Sequence, residues 1–343
     1  MKYFKYLLFI VLFSSAFAEE DPMGNMTIEY GSHDMLQKEI AYTQGSYVSI
    51  EYYENVIIYV QDANILSKNG QIAEAIDKFL IALESDSTYV FALNGLGNAY
   101  LKFRDWEKAE LYFQKAMKFG PTYAFSYNNL ANLYVLQGKN DEALSLLLTA
   151  MRYDPNSAYI NYNIGNLYLE KEKFAIAQSY FKKALKFDKS FCNARYNLAI
   201  SNWRMKDEVS AIQEYEALLA QCPGHSKGVL NLAAYYVESR QIEKALILYK
   251  QAVLINPDTK VYLALGHAYH NAGYIQKEID AYQSALQIDS TNIDVKYYLA
   301  LSYFEQGMTF SAKEICDRVL KIDPSNEMIL SILKMIEDEK SFK

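Results

Sequence analysis

Five of the six prolines set the frame of this chain. Pro121, Pro155, Pro223, Pro257 and Pro324 lie 34, 68, 34 and 67 residues apart, multiples of one period to within a residue. A small residue keeps the same period at Ala63, Gly97, Ala131, Gly165, Ala199, Ala233, Gly266 and Ala300. Three residues further on runs an aromatic column, Tyr100, Tyr134, Tyr168, Tyr236, Tyr269 and Tyr303. A second small column comprises Ala75, Ala109, Ala143, Ala177, Ala211, Ala245 and Ala312. A chain that repeats itself at this spacing builds one supersecondary unit many times. Each unit must then bury its apolar face against its neighbours.

The unit itself reads as helical. In "YNNLANLY", residues 127–134, apolar residues fall at Tyr127, Leu130, Ala131 and Tyr134, the i, i+3, i+4, i+7 spacing of one helix face. Each period holds two such amphipathic segments of about four turns, broken where Gly70, Gly138, Gly273 or Gly307 supplies a turn. Proline closes the second segment because it cannot continue the hydrogen-bond ladder of an interior turn. Composition agrees: Gly and Pro together number 20 of 343 residues, against 31 Tyr, a chain poor in turn-formers.

The unit "ALNGLGNAYLKFRDWEKAELYFQKAMKFGP", residues 92–121, resembles the tetratricopeptide repeat almost throughout, and the resemblance extends over about 56–324. It implies an all-α fold, a right-handed α-solenoid of about eight helix-turn-helix repeats. Residues 325–343, including "SNEMILSILKMIEDEK", read as a C-terminal capping helix that solvates the end of the stack. Departures are few. Ser87, Lys189 and Ser290 replace the closing Pro, Glu278 stands in the second alanine column, and Cys316 takes the place of the aromatic or leucine at Phe79, Phe113, Leu147 and Phe181.

Residues 1–18 read as a signal for export. Lys2 and Lys5 precede an apolar core from Tyr6 to Phe13, and Ala16-Phe17-Ala18 fits a cleavage site before Glu19. The apolar core is short of the ~20 residues that span a bilayer, so no membrane span is expected after cleavage. Residues 19–55 read as a polar, disordered tail followed by a weak N-terminal cap. Cleavage removes two lysines and no acids, taking the formal charge from −7 to −9. A chain this acidic, with no dense basic cluster, is not a nucleic-acid binder. The chain ends in "EKSFK", which is not an ER-retention signal. The expected location is the cell envelope, in the periplasm, with outright secretion as the alternative.

In the tetratricopeptide family the first helices line a concave groove. Two asparagine columns fall on that face here. One contains Asn129, Asn163, Asn197 and Asn231; the other contains Asn64, Asn98, Asn132 and Asn166. An Asn amide carries both donor and acceptor and can pair with an extended peptide backbone. The rows, and "NNLAN" in particular, look like the asparagine ladder in the repeat superhelix of O-GlcNAc transferases. Two readings stay open: the rows hold a peptide, or they reflect the repeat's own consensus and serve helix packing. Tyr162, Tyr196 and Trp203 join them as candidate peptide contacts, since aromatics give large contact area at low entropy cost. Trp203 stands out because its equivalents are Leu101, Val135, Leu169 and Val237. A carboxylate clamp is not expected, because Val60, Asn94, Asn128, Tyr162, Tyr196, Leu230, Leu263 and Tyr297 stand where its leading lysine would be.

His267 and His270, three apart, share a helix face, but no local Cys or carboxylate completes a metal set, so they read as groove-facing polar residues. Cys192 and Cys222 bracket the fifth repeat and suggest a disulfide, and Cys316 reads as core. No nucleophile elbow, P-loop or H-E-x-x-H motif occurs. The expectation is a protein-binding module without catalysis or cofactor, taking an extended segment of a partner. The alternative is a structural or homo-oligomeric scaffold that uses its convex face or its ends.

Overall fold

The computed structural model describes residues 50–341. The expected signal and the polar tail lie outside the described residues. Contacts divide the rest into two units, residues 50–211 and residues 212–341, with the division inside one helix.

Every element among the described residues is an α-helix. In the first unit α1 (Ile50–Lys68) pairs with α2 (Ile72–Ser85), and α3 (Val90–Lys102) with α4 (Trp106–Phe119). The pairs α5 (Ala124–Leu136) with α6 (Asn140–Tyr153) and α7 (Ala158–Glu170) with α8 (Phe174–Phe187) follow. Next come α9 (Cys192–Arg204) and α10 (Glu208–Gln221), which contains the division. The second unit continues with α11 (Ser226–Glu238), α12 (Ile242–Ile255), α13 (Thr259–Ala272) and α14 (Ile275–Ile288). It ends with α15 (Ile293–Glu305), α16 (Thr309–Leu320) and α17 (Glu327–Ser341). This is the all-α, tetratricopeptide-like solenoid that the period implies.

The turn inside each pair recurs with the period. Gly70, Gly138, Gly273 and Gly307 take positive φ, as their role as breakers requires. The other four pairs turn in the same left-handed region on Arg104, Glu172, Lys206 and Arg240. The sequence hides these four because nothing marks them locally. The packing of the two helices dictates the turn, and a residue with a Cβ pays roughly 1–2 kcal/mol for it. Helix starts are capped where a short polar side chain is present: Asp105, Ser157, Asp258 and Asn292 accept from backbone N–H groups three residues on.

The two small columns let the paired helices touch. Ala109, Ala143 and Ala177 are fully buried, and the rings of Phe113 and Phe181 pack beside them. At Gly165 the close approach is absolute, since a Cβ there would lie 2.6 Å from the Phe181 ring. At Gly266 the corresponding distance to Tyr282 is 2.2 Å. The tyrosine column serves both seams. Between successive pairs Tyr134 donates to Glu110 at 2.8 Å and Tyr236 to Glu216 at 2.6 Å; within a pair Tyr100 stacks on Tyr112 and Tyr168 on Tyr180. Where the fifth repeat has Asn202 in that column, its carbonyl accepts from Gln178 at 2.7 Å. The same seam is kept with different chemistry. At the C-terminal end Ile329, Ile332 and Ile336 of α17 cover Ala300, Ala312 and Cys316. Burial pushes the Cys316 thiol up to about 11, so it serves as a core side chain. Cys192 and Cys222 are both disulfide-bonded. No helix among the described residues is long and apolar enough to cross a membrane.

Candidate functional site: the face of the first helices

The asparagine rows come together on α3, α5, α7 and α9, and their amides bond to one another. Asn129 donates to Asn94 at 3.3 Å, and Asn128 donates to Asn129 at 3.2 Å. Asn163 donates to Asn128 at 2.8 Å and to Asn132 at 3.1 Å. Asn197 donates to Asn166 at 2.7 Å and to the Tyr162 hydroxyl at 3.4 Å. Burial is nearly complete: Asn98 and Asn129 are 0% exposed, Asn132 2%, Asn163 4% and Asn197 8%. In the second unit Asn231, also 8% exposed, donates to the buried Tyr215 hydroxyl at 3.1 Å.

These asparagines therefore act first as ties between successive first helices. An amide removed from water needs its partners, and here neighbouring repeats supply them. The expectation that Asn98 and Asn129 present open amides to a ligand does not fit side chains with no exposed surface. Tyr162 is likewise core, with its ring 5.9 Å from Phe181 and 4.7 Å from Phe191. Tyr196 is 8% exposed. Of the candidate contacts, Asn166 and Trp203 keep partial exposure, and Phe91 and Tyr159 beside them do so as well. Tyr159 lies 5.0 Å from Phe191 and Phe91 lies 5.0 Å from Tyr123, so both rings are held in place. Sequence reasoning passed over Asn94 and Asn128 as network members. They drew notice only as positions lacking a lysine.

The two histidines of α13 differ from each other. His267 is buried, with its Nδ1 2.9 Å from the Tyr282 hydroxyl and its ring edge-on to Tyr298 at 4.3 Å. Burial pushes its pKa down to about 3, so it is neutral. His270 pairs through Nδ1 with Glu278 at 3.2 Å, and Glu305 lies 3.9 Å away. The exceptional Glu278 in the alanine column is thereby explained: it is 2% exposed, bonded to His270 on one oxygen and to the Ser302 hydroxyl on the other. The expectation of a groove-facing polar residue does not fit His267, which is buried; His270 stays partly exposed and turns to Glu278. Among the described residues no three His, Cys, Asp or Glu side chains group as metal ligands.

The hydrogen bond to Glu278 raises the pKa of His270 above its usual value, against the opposing effect of burial. Stability from this pair is fully present below about pH 6.5 and is lost as pH rises through the raised pKa. His267 works in the opposite sense, because the unfolded chain takes a proton there that the folded one refuses. His270→Gln is therefore expected to lower the melting temperature most on the acid side. Its difference from wild type should shrink steadily towards alkaline pH in calorimetric scans.

A ladder of paired helices, tied through polar side chains on one face and aromatic seams on the other, defines a helical-repeat interaction scaffold. Sequence models of the tetratricopeptide repeat match residues 61–124, 112–145, 162–226, 259–292 and 294–326, and one of the TPR repeat matches 131–172. The chain belongs to the tetratricopeptide-repeat family. Among curated relatives, human protein O-mannosyl-transferase TMTC3 is 31% identical over 121 residues, 34% of this chain and 13% of that protein. Small glutamine-rich tetratricopeptide repeat-containing protein 2 of Mycosarcoma maydis is 34% identical over 98 residues, 28% of each chain. The chain thus spans well under two thirds of the relatives it matches. Among solved structures, that of Pseudomonas aeruginosa pilF aligns with a TM-score of 0.55 and 17% identity, covering 62% of this chain and 96% of that one. The C-terminal part of a repeat protein from Cytophaga hutchinsonii aligns with a TM-score of 0.53 and 18% identity, covering 70% and 99%. These structural likenesses establish the fold.

Proposed function

We propose that this protein is an exported, non-catalytic interaction module of the cell envelope that takes an extended segment of a partner along the first helices of residues 90–204. The observation that carries this reading is the partly exposed set Phe91, Tyr159, Asn166 and Trp203, set in a wall whose asparagine amides, that of Asn166 included, bond to one another. The asparagine network supports binding indirectly. It holds the wall rigid, so that a ligand meets contacts already in place and less ordering has to occur on association. Asn166 and the aromatic rings then supply the contacts themselves.

A photocrosslinking residue at position 203, compared with one at the exposed Leu111 position, tests this in the native cell. The expected adduct at 203 maps to one contiguous segment of a different protein. Adducts formed only at 111 would overturn the groove reading. Phe119, Tyr153 and Phe187 favour the structural alternative, because they repeat every 34 residues at the ends of second helices and are 44%, 44% and 41% exposed. Under that alternative the adducts would link copies of this chain, and light scattering on the purified chain would report an oligomer.

A further inference from the structure

In the first unit, the first helix of each internal pair carries a face that the preceding pair covers. On α3 that face is Ala92, Leu96 and Ala99, packed with Phe79 and Ala82 of α2. On α5 it includes Leu130 and Leu133, packed with Phe113 of α4, and on α7 it is Ile160, Ile164 and Leu167, packed with Leu147 of α6. None of these eight residues is more than 3% exposed. The same positions on α1 are Ile58, Asp62 and Ile65, 34 residues before those of α3. No described helix precedes α1, and Ile58 is 51% exposed and Ile65 57%. An end repeat ordinarily turns a polar face outward. Here two of the three side chains are large aliphatics, so the face is shaped for a cover. α1 also runs to 19 residues where α3 has 13, and the extra length lies at its start.

We propose that residues 35–49 of this chain, "MLQKEIAYTQGSYVS", fold back along α1 and cover Ile58 and Ile65, with Lys38 set against Asp62. The reach fits. Asp62 lies twelve residues after Ile50, about 18 Å along the helix axis, and Lys38 stands twelve residues before Ile50. A segment of that length reaches Asp62 whether it returns helical or extended. Leu36, Ile40, Tyr42 and Tyr47 supply the apolar side chains for the two isoleucines. The charges also match: Lys38 is the only lysine or arginine between residues 6 and 67, and Asp62 pairs with no cation among the described residues. A second copy of this chain fits less well. Two-fold pairing of the face would set Asp62 beside its own copy, and like charges placed together oppose an interface. The weak N-terminal cap expected over residues 19–55 thereby gains a seat and a contact. With that cover in place, the first pair is closed to end-to-end association.

The test places a photocrosslinking residue at position 58 or 65 of the full exported chain. The expected adducts join that position to residues 35–49 of the same molecule, with a yield that does not change on dilution. Lys38→Glu or Asp62→Lys should each lower the yield about threefold, and the two together should restore it. Adducts between copies would assign the face to a second chain, and adducts to a different protein in the native cell would assign it to a partner; either overturns the proposal. No adduct at all, or single charge changes that leave the yield unaltered, would overturn it as well. None of these outcomes bears on the crosslinks at position 203.

Discussion

Phe181→Ala should lower the stability of residues 50–211 by about 3–5 kcal/mol, the usual cost of emptying a buried aromatic site. Phe181 has no exposed surface, and its ring packs on the backbone of α7 at Gly165. The reverse fault is predicted at the facing position. Gly165→Ala adds a methyl group 2.6 Å from that ring, and overpacking of this kind costs about 1–3 kcal/mol, partly offset by the better helix propensity of alanine. Combining Gly165→Ala with Phe181→Leu should destabilise by less than the sum of the two single changes, because the smaller side chain makes room for the methyl group. Chemical unfolding followed at 222 nm measures all four variants, Phe181→Leu alone included. Strict additivity would show that ring and glycine do not share one contact.

Asn163→Ala should destabilise the unliganded protein by about 2–3 kcal/mol, with the melting temperature falling by roughly 4–12 °C. Asn163 donates to Asn128 and Asn132 within a wall that water does not enter, so its loss leaves buried acceptors under-satisfied. Its own buried Oδ1 has no protein partner among the described residues, and losing that atom keeps the penalty from being larger. A residue present only to hold a ligand would leave the unliganded melting temperature unchanged. Differential scanning calorimetry without any peptide separates the two roles. An unchanged melting temperature would return Asn163 to the ligand.

The repeat architecture was legible because it is written once per period. Small residues at Gly97 and Gly165, alanines at Ala109 and Ala177, and tyrosines at Tyr134 and Tyr236 each do one job that recurs. The exposure of the asparagines was not legible. It depends on how closely α3, α5, α7 and α9 approach one another, a property of stacking between repeats that no single repeat encodes. Arg104 and Lys206 as left-handed turn residues escaped notice for a related reason, since the helix pair imposes the turn on whatever residue falls there. Glu278 and His270 each stood out as unusual, yet their pairing became visible only when α13 and α14 lay side by side.

The network also has a direction. Asn129 reaches Asn94, Asn163 reaches Asn128, and Asn197 reaches Tyr162, each donor finding an acceptor 35 positions earlier. Along these three steps each rung is thus a plug on one side and a socket on the other, whereas Asn231 turns instead to Tyr215, 16 positions earlier. Excising or duplicating a segment of 34 residues would leave each plug facing a socket, whereas any other length would break the series. The array can therefore lengthen or shorten by whole repeats during evolution without redesign of its polar interior.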